Sequence, residues 1–198
     1  MLKLVKKLCV MFVAFCAFWV AQTASAEKYE IDPVHSTIGF AVKHMMVSIT
    51  RGAFSDYQGT VEFDSKDVAA FKADVVIQAK SINTGAANRD NHLRSAEFLD
   101  VEKFPTITFV GKQLQQQGAE YLIIGDLTIH GVTKEITIPV MVSGPVSSPS
   151  GTQVIGLSGS TVINRQDFGV SWHKSLDSGG LVVDDMVKII VEIEAGKK

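Results

Sequence analysis

From Tyr29 onward, apolar and polar positions trade places every second residue, the signature of strands with one buried and one wet face. Ile38, Phe40, Val42 and His44 share one parity, while Thr37, Gly39, Ala41 and Lys43 share the other. Val61 and Phe63 alternate with Thr60 and Glu62, and Phe54 falls off that parity, which predicts a bulge or bend near Asp56 to Gly59. Ala73, Val75, Ile77 and Ala79 oppose Asp74, Gln78 and Lys80 in the cleanest single strand of the chain. The alternation then stops. Arg89 to Phe109 gathers charges, a histidine and aromatics, with a short helix or two turns expected over Ala86 to Ser95 after the turn-forming Asn83-Thr84-Gly85. Pro105 closes this excursion, and Thr106 to Lys112 resumes as a strand.

The second half is more regular. Tyr121 to His130, Lys134 to Ser143, Thr152 to Asn164 and Met186 to Glu194 are each long enough to cross a barrel, and Gly- and Pro-rich joints separate them. Eight main strands result, preceded by an extended piece around Tyr29 to Ile31. Short turns and the absence of βαβ spacing favour an all-β, up-and-down antiparallel barrel of eight strands with one short helical excursion; a β-sandwich is the alternative. Closure removes exposed sheet edges. Such a barrel either fills its interior or holds one small ligand. The inward residues here are mostly Val, Ile and Ala, which leaves room.

Composition adds a destination. Lys3, Lys6 and Lys7, the apolar run Leu8 to Val20 and the small residues Ala24-Ser25-Ala26 have the order of an export signal cleaved after Ala26, so residues 1–26 are read as a signal peptide and 27–198 as one barrel domain. The apolar run is short for a bilayer span, and no stable membrane anchor is expected. Both cysteines, Cys9 and Cys16, lie in the removed segment, which excludes disulfides and thiol chemistry from the remainder. Loss of the three lysines moves the formal charge from −2 to −5, which argues against nucleic acid or an anionic membrane surface as the main partner. A periplasmic location is expected.

No sequence device for metal, phosphate, dinucleotide or nucleophile-elbow chemistry is present. The five histidines stand singly, without paired ligand spacing, so no metal site and no cofactor are expected. Arg89, Asp90, His92 and Arg94 read either as a functional cluster or as a knot of charges that holds turns together. Phe98, Phe104, Phe109 and Trp172 read either as pocket lining or as core. Arg165, Asp167 and Phe168-Gly169 form a second polar-aromatic joint, a turn lock or a rim contact.

Five segments together resemble the YceI-like family: Asp32-Pro33-x-His35-Ser36; Val42-Lys43-His44-x-x-Val47-Ser48 with Arg51-Gly52-x-Phe54; His92-Leu93-Arg94-Ser95 with Phe98 and Phe104-Pro105-x-Ile107-x-Phe109; Gly125-x-Leu127-Thr128-Ile129-His130-Gly131-Val132-Thr133; and Arg165-x-Asp167-Phe168-Gly169. Leu99 departs from the pattern, since family members often carry a second phenylalanine there. The resemblance implies an exported, lipocalin-like barrel that binds a polyisoprenoid, such as a polyprenyl phosphate or a quinone tail. A transport or stress-response role follows only by analogy with the family. On this reading Phe40, Val42, His44, Val75, Ile77, Phe98, Ile107, Phe109 and Trp172 line the cavity, and His92 or Arg94 stands near its mouth. The rings of Phe98, Phe104 and Phe109 are expected to turn inward. Two other classes remain open: an enzyme acting on a prenyl lipid through His92 and Asp90, and a packed barrel serving as an interaction module, for instance as a homodimer.

Overall fold

A computed structural model describes residues 26–177 and 179–198, so the export signal predicted for residues 1–26 lies, apart from Ala26, outside the described residues. The chain runs through β1 (Glu27–Ile31), β2 (Thr37–His44), β3 (Ser48–Phe54), β4 (Tyr57–Phe63), β5 (Lys72–Gln78), β6 (Ile82–Asn83), helix α1 (Ala87–Arg94), β7 (Thr106–Gln117), β8 (Glu120–Ile129), β9 (Val132–Ser147), β10 (Gln153–Asn164) and β11 (Val183–Lys197). Every strand pairing is antiparallel, and β11 returns to both β1 and β2, which closes the sheet into a barrel of eight staves. The predicted barrel is the observed one, and α1 is the predicted excursion.

Three staves are each made of two strands in line. β1 and β2 lie end to end along β11, β4 and β3 lie along them, and β5 and β6 lie along β4 and β3. Each break inverts the inward parity. Tyr29 and Ile31 face in on β1 but Ile38, Phe40 and Val42 on β2; Phe54 faces in on β3 but Tyr57, Val61 and Phe63 on β4; Ala73 and Ile77 face in on β5 but Ile82 on β6. The bend signalled by the off-parity Phe54 falls at Ser55 and Asp56, the front edge of the predicted stretch. Hydrogen bonds hold the breaks together. The Tyr57 hydroxyl donates to the Ser36 carbonyl at 2.7 Å, and the Ser36 hydroxyl accepts from the Glu194 N–H at 2.9 Å.

The second half outruns its predicted limits. β7 continues to Gln117 because the glutamines after Lys112, although they lack apolar alternation, keep their ladder with β8. The β8–β9 connection is a two-residue turn in which His130 (φ 52°) and Gly131 (φ 74°) both take left-handed backbone, as a tight hairpin requires. The core divides along the barrel axis. One cluster centres on Tyr29, Phe71, Leu114, Val140 and Ile155, the other on Ile38, Ile77, Ile107, Leu127, Ile163 and Phe168.

Candidate functional site

The barrel interior holds two apolar chambers in line. The outer one has a volume of about 170 Å³ and the inner one about 100 Å³. Ile38, Ile77, Leu127 and Ile189, from β2, β5, β8 and β11, line both and form a waist between them. Two inward glycines make space for rings. A Cβ at position 52 would lie 2.5 Å from the Phe40 ring, and one at position 125 would lie 2.7 Å from the Phe109 ring, so both aromatics occupy space that a side chain would fill.

The lining contains one charged residue, Arg165. Its guanidinium is turned away into the wall, where it donates to the Val170 carbonyl at 2.6 Å, the Asp184 carbonyl at 3.1 Å and the Asp185 carboxylate at 2.7 Å. These bonds tie the turn after β10 to the start of β11. Gly169 (φ 76°) ends that turn, and Phe168, 2% exposed, fills the wall beside it. The second polar-aromatic joint is therefore a turn lock whose ring borders the chamber.

The excursion around α1 closes the outer chamber with Leu93, Phe98 and Leu99. Its charges are a knot. The buried Asp90 carboxylate accepts the Thr84 N–H at 2.9 Å and the Thr84 hydroxyl, and these bonds hold it below the usual carboxylate range. Arg89 donates to the Thr84 hydroxyl at 2.7 Å and its carbonyl at 3.0 Å. Arg94 clasps the carbonyls of Lys80 at 2.7 Å and Ile82 at 2.6 Å, so its donors serve the β5–β6 corner rather than the cavity mouth. His92 is different. It pairs with Glu97 and presents its ring edge-on to Phe98 at 4.9 Å and Trp172 at 5.6 Å, while Trp172 stacks on Phe98 at 5.2 Å. This aromatic trio joins the excursion to the segment before β11.

Of the residues predicted from sequence, Phe40, Val42, Phe98 and Ile107 line the outer chamber, Val75 and Phe109 the inner one, and Ile77 the waist. His44, His92, Arg94 and Trp172 are outside the lining. His44 is the last residue of β2, paired to Val183 and Ser48 where the strand leaves the chamber wall. Phe104 does not turn inward as expected: it packs on His130 at 4.3 Å and against Gly131, bracing the β8–β9 turn. Sequence reasoning left out Phe54, Leu127, Ile163, Val187 and Ile189, all of which line the interior. The off-parity position of Phe54 and the alternation of Val187 and Ile189 were their signals.

The residues of the enzymatic alternative are not brought together. Asp90 and His92 stand two apart on α1, on different faces, and bond to Thr84 and Glu97 respectively. Asp32, His35 and Glu194 place ligand atoms within 4.8 Å of one another on the outer surface. There His35 Nδ1 and the Asp32 carboxylate satisfy each other at 2.7 Å, which raises the imidazole above its ordinary value.

Fold and site together define a closed antiparallel barrel built around ligand-sized apolar space. Residues 29–195 match the YceI-like domain, and the chain belongs to that family. A UPF0312 protein of Staphylococcus aureus strain MSSA476 is 37% identical over 167 residues, 84% of this chain and 95% of its own length. The crystal structure of Burkholderia cenocepacia BcnA matches with a TM-score of 0.73 at 26% identity, over 83% of this chain and 98% of its own. A polyisoprenoid binding domain from Saccharophagus degradans, implicated in plant cell wall breakdown, shares the fold with a TM-score of 0.62 at 17% identity, over 86% of this chain and 98% of its own. No helix among the described residues is long and apolar enough to cross a membrane.

Proposed function

We propose that the protein binds the tail of a long isoprenoid-type lipid inside the barrel and works in the periplasm as its carrier or scavenger. One observation carries this reading: two apolar chambers run in line, and the waist between them is made of four aliphatic side chains with no polar group. Burying one five-carbon isoprene unit contributes about 3–4 kcal/mol at about 0.8 per carbon group. A few units therefore offset an association cost of roughly 4–15 kcal/mol. Tail burial, not a head group, sets affinity.

The chamber volumes refine the binding mode. A cavity of about 150 Å³ accommodates a benzene-sized molecule, so each chamber alone suits a short piece of tail. A longer tail threads both, and Ile38, Ile77, Leu127 and Ile189 move to other staggered rotamers to let it pass. Family membership and the polyisoprenoid-binding neighbour support a binding protein rather than an enzyme. The export-type order of the first 26 residues supports the periplasm.

Organic extraction of the purified protein followed by mass spectrometry is the test, paired with titration of the extracted protein by a prenyl alcohol. Trp172, the single tryptophan beyond residue 26 and a neighbour of the lid ring Phe98, reports occupancy by fluorescence. An isoprenoid in the extract, or a saturable Trp172 shift, is expected. A clean extract together with no shift overturns the proposal.

A further inference from the structure

Beside the mouth of the outer chamber, the outer face of the barrel alternates apolar and cationic side chains. The tip of the β2–β3 hairpin presents Met45, Met46 and Val47, the last 85% exposed, with Met45 and Met46 held in left-handed backbone. Cross-strand register extends the patch along the sheet: Ile49 lies opposite Lys43, Arg51 opposite Ala41, Ala41 opposite Lys188, and Lys188 opposite Val162. These positions face outward because their neighbours Phe40, Val42, Val187 and Ile189 line the chamber. Six of the ten exposed large hydrophobic residues among those described fall here, Met186 included. Scattered exposed apolar residues need no explanation, but a concentration of them does.

The three cations are exposed, and among the described residues none of them forms an ion pair. The acids at the start of β11 are occupied within the chain. Asp185 pairs with Arg165 at 2.7 Å, and the Asp184 carboxylate accepts the Met186 N–H at 3.1 Å. The patch adjoins the chamber opening. The Met45 N–H donates to the Val182 carbonyl at 2.8 Å, beside Val183 of the chamber wall, and Met46 leans on Gly180.

We propose that this patch seats the barrel, mouth first, on an anionic lipid bilayer. Methionine, valine and isoleucine enter the acyl boundary while Lys43, Arg51 and Lys188 meet lipid phosphates. The negative charge of residues 27–198 does not prevent this, because screening over about 8 Å at physiological salt lets the local cations dominate. A second copy of the chain fits poorly, since a two-fold contact would set these like charges against one another. The idea rests on the lipid-carrier reading only for what passes through the mouth, because docking itself is measurable on protein emptied of lipid.

Protein purified from the exported fraction, with its N-terminus verified by mass spectrometry, is co-sedimented with vesicles of phosphatidylglycerol and phosphatidylethanolamine or of phosphatidylcholine alone. Binding to the anionic vesicles, its loss in high salt, and little binding to the neutral ones are expected. Each cation removed weakens binding about fivefold, so a Lys43→Ser, Arg51→Ser, Lys188→Ser variant falls on the order of a hundredfold. Val47→Asp, with the cations intact, also weakens it. A Lys28→Ser, Lys66→Ser, Lys72→Ser variant, equal in net charge and altered elsewhere, binds as the parent does; circular dichroism checks that all variants fold. Absence of anionic-vesicle binding overturns the proposal, and so does equal loss in both triple variants. A dimer that dissociates on Val47→Asp in sedimentation velocity would assign the face to a second copy and overturn it too. None of these failures alters the lipid-extraction result.

Discussion

At the inner end of the barrel Tyr29, Phe71, Val140 and Ile155 are at most 2% exposed and leave about 100 Å³; at the outer end, Phe98 and the leucines of the excursion enclose about 170 Å³. The same eight staves build both ends. The inner end is filled by large side chains: Phe71 follows a single helical turn, Val68–Ala70, and Tyr29 comes from β1 beside the C-terminal residues of β11. Burial and the Glu27 carboxylate push the Tyr29 phenol up to about 12, so it remains neutral at the plug. The outer end is formed where three staves break and reverse parity, and its cover is an excursion held by charges. The contrast separates a half that stabilises the fold from a half that holds space open.

The sharpest way to break that contrast is to truncate one ring at each end. Phe71→Ala should cost about 3–5 kcal/mol, the range for truncating a fully buried ring: Phe71 is 2% exposed in the inner core cluster and borders only the smaller chamber. Urea denaturation should show the midpoint falling with the slope unchanged. Phe98→Ala should cost less, about 1–3 kcal/mol, since its ring borders open chamber and the added void merges with space already there. It should instead weaken lipid retention and abolish the Trp172 response. Equal stability losses would mean the two ends do not differ in packing.

Next in size is Arg165→Met, which keeps the stem against the chamber and removes every bond to Val170, Asp184 and Asp185. The loss should be about 2–3 kcal/mol, the range for hydrogen bonds to a charged group, read as a lower urea midpoint. Faster hydrogen exchange over the turn after β10 would show that the loss is local to the mouth.

At the waist, Leu127→Phe adds volume where two chambers meet, so its effect on stability should stay within about 1 kcal/mol, at the mild end of overpacking. Its effect on ligand should be larger: a tail confined to the outer chamber loses at least one isoprene unit of burial, and retention should fall by more than tenfold. Unchanged retention of a long tail in this variant would show that the inner chamber is not used.

How much of this was legible in sequence follows the same division. Alternation exposed β2, β5 and β11 because each is a local pattern of period two. The paired breaks were nearly invisible, since only the parity of Phe54 betrays one of them, and stave continuity depends on partners far away in the chain. Direction failed inside the excursion. Phe98 and Phe104 sit in the same aperiodic stretch, yet one lines the chamber and the other braces His130 on a different hairpin. His44 kept the parity of Phe40 and Val42 on paper, but the strand ends at that residue and the wall ends with it. The cationic rows of the outer face exist only through cross-strand register, which no local pattern encodes.

The smallest expected effect lies at the break between β1 and β2, where Asp32 and His35 pair on the surface at 2.7 Å and screening keeps the contribution low. Their signs are opposite. The His35 imidazole is raised by its bond to Asp32, so its contribution is full below the unfolded value of about 6.5 and is lost as pH climbs through the higher folded value. The Asp32 carboxylate is lowered by the same bond, so its contribution is full above about 3.9 and is lost as pH falls through the lower folded value. The pair therefore contributes from mildly acidic pH up to the folded titration of His35. Thermal melts of the parent and His35→Gln should differ slightly at pH 5.5 and converge by about pH 9. Asp90 in the excursion adds a second acid limb, since its lowered carboxylate weakens the knot only when it takes a proton. Comparing Asp90→Asn with His35→Gln across pH thus separates the two contacts: the acid limb should shrink to the part due to Asp32 in the first variant, and the alkaline limb should disappear in the second. Identical pH profiles for the two variants would show that neither contact sets the pH dependence of stability.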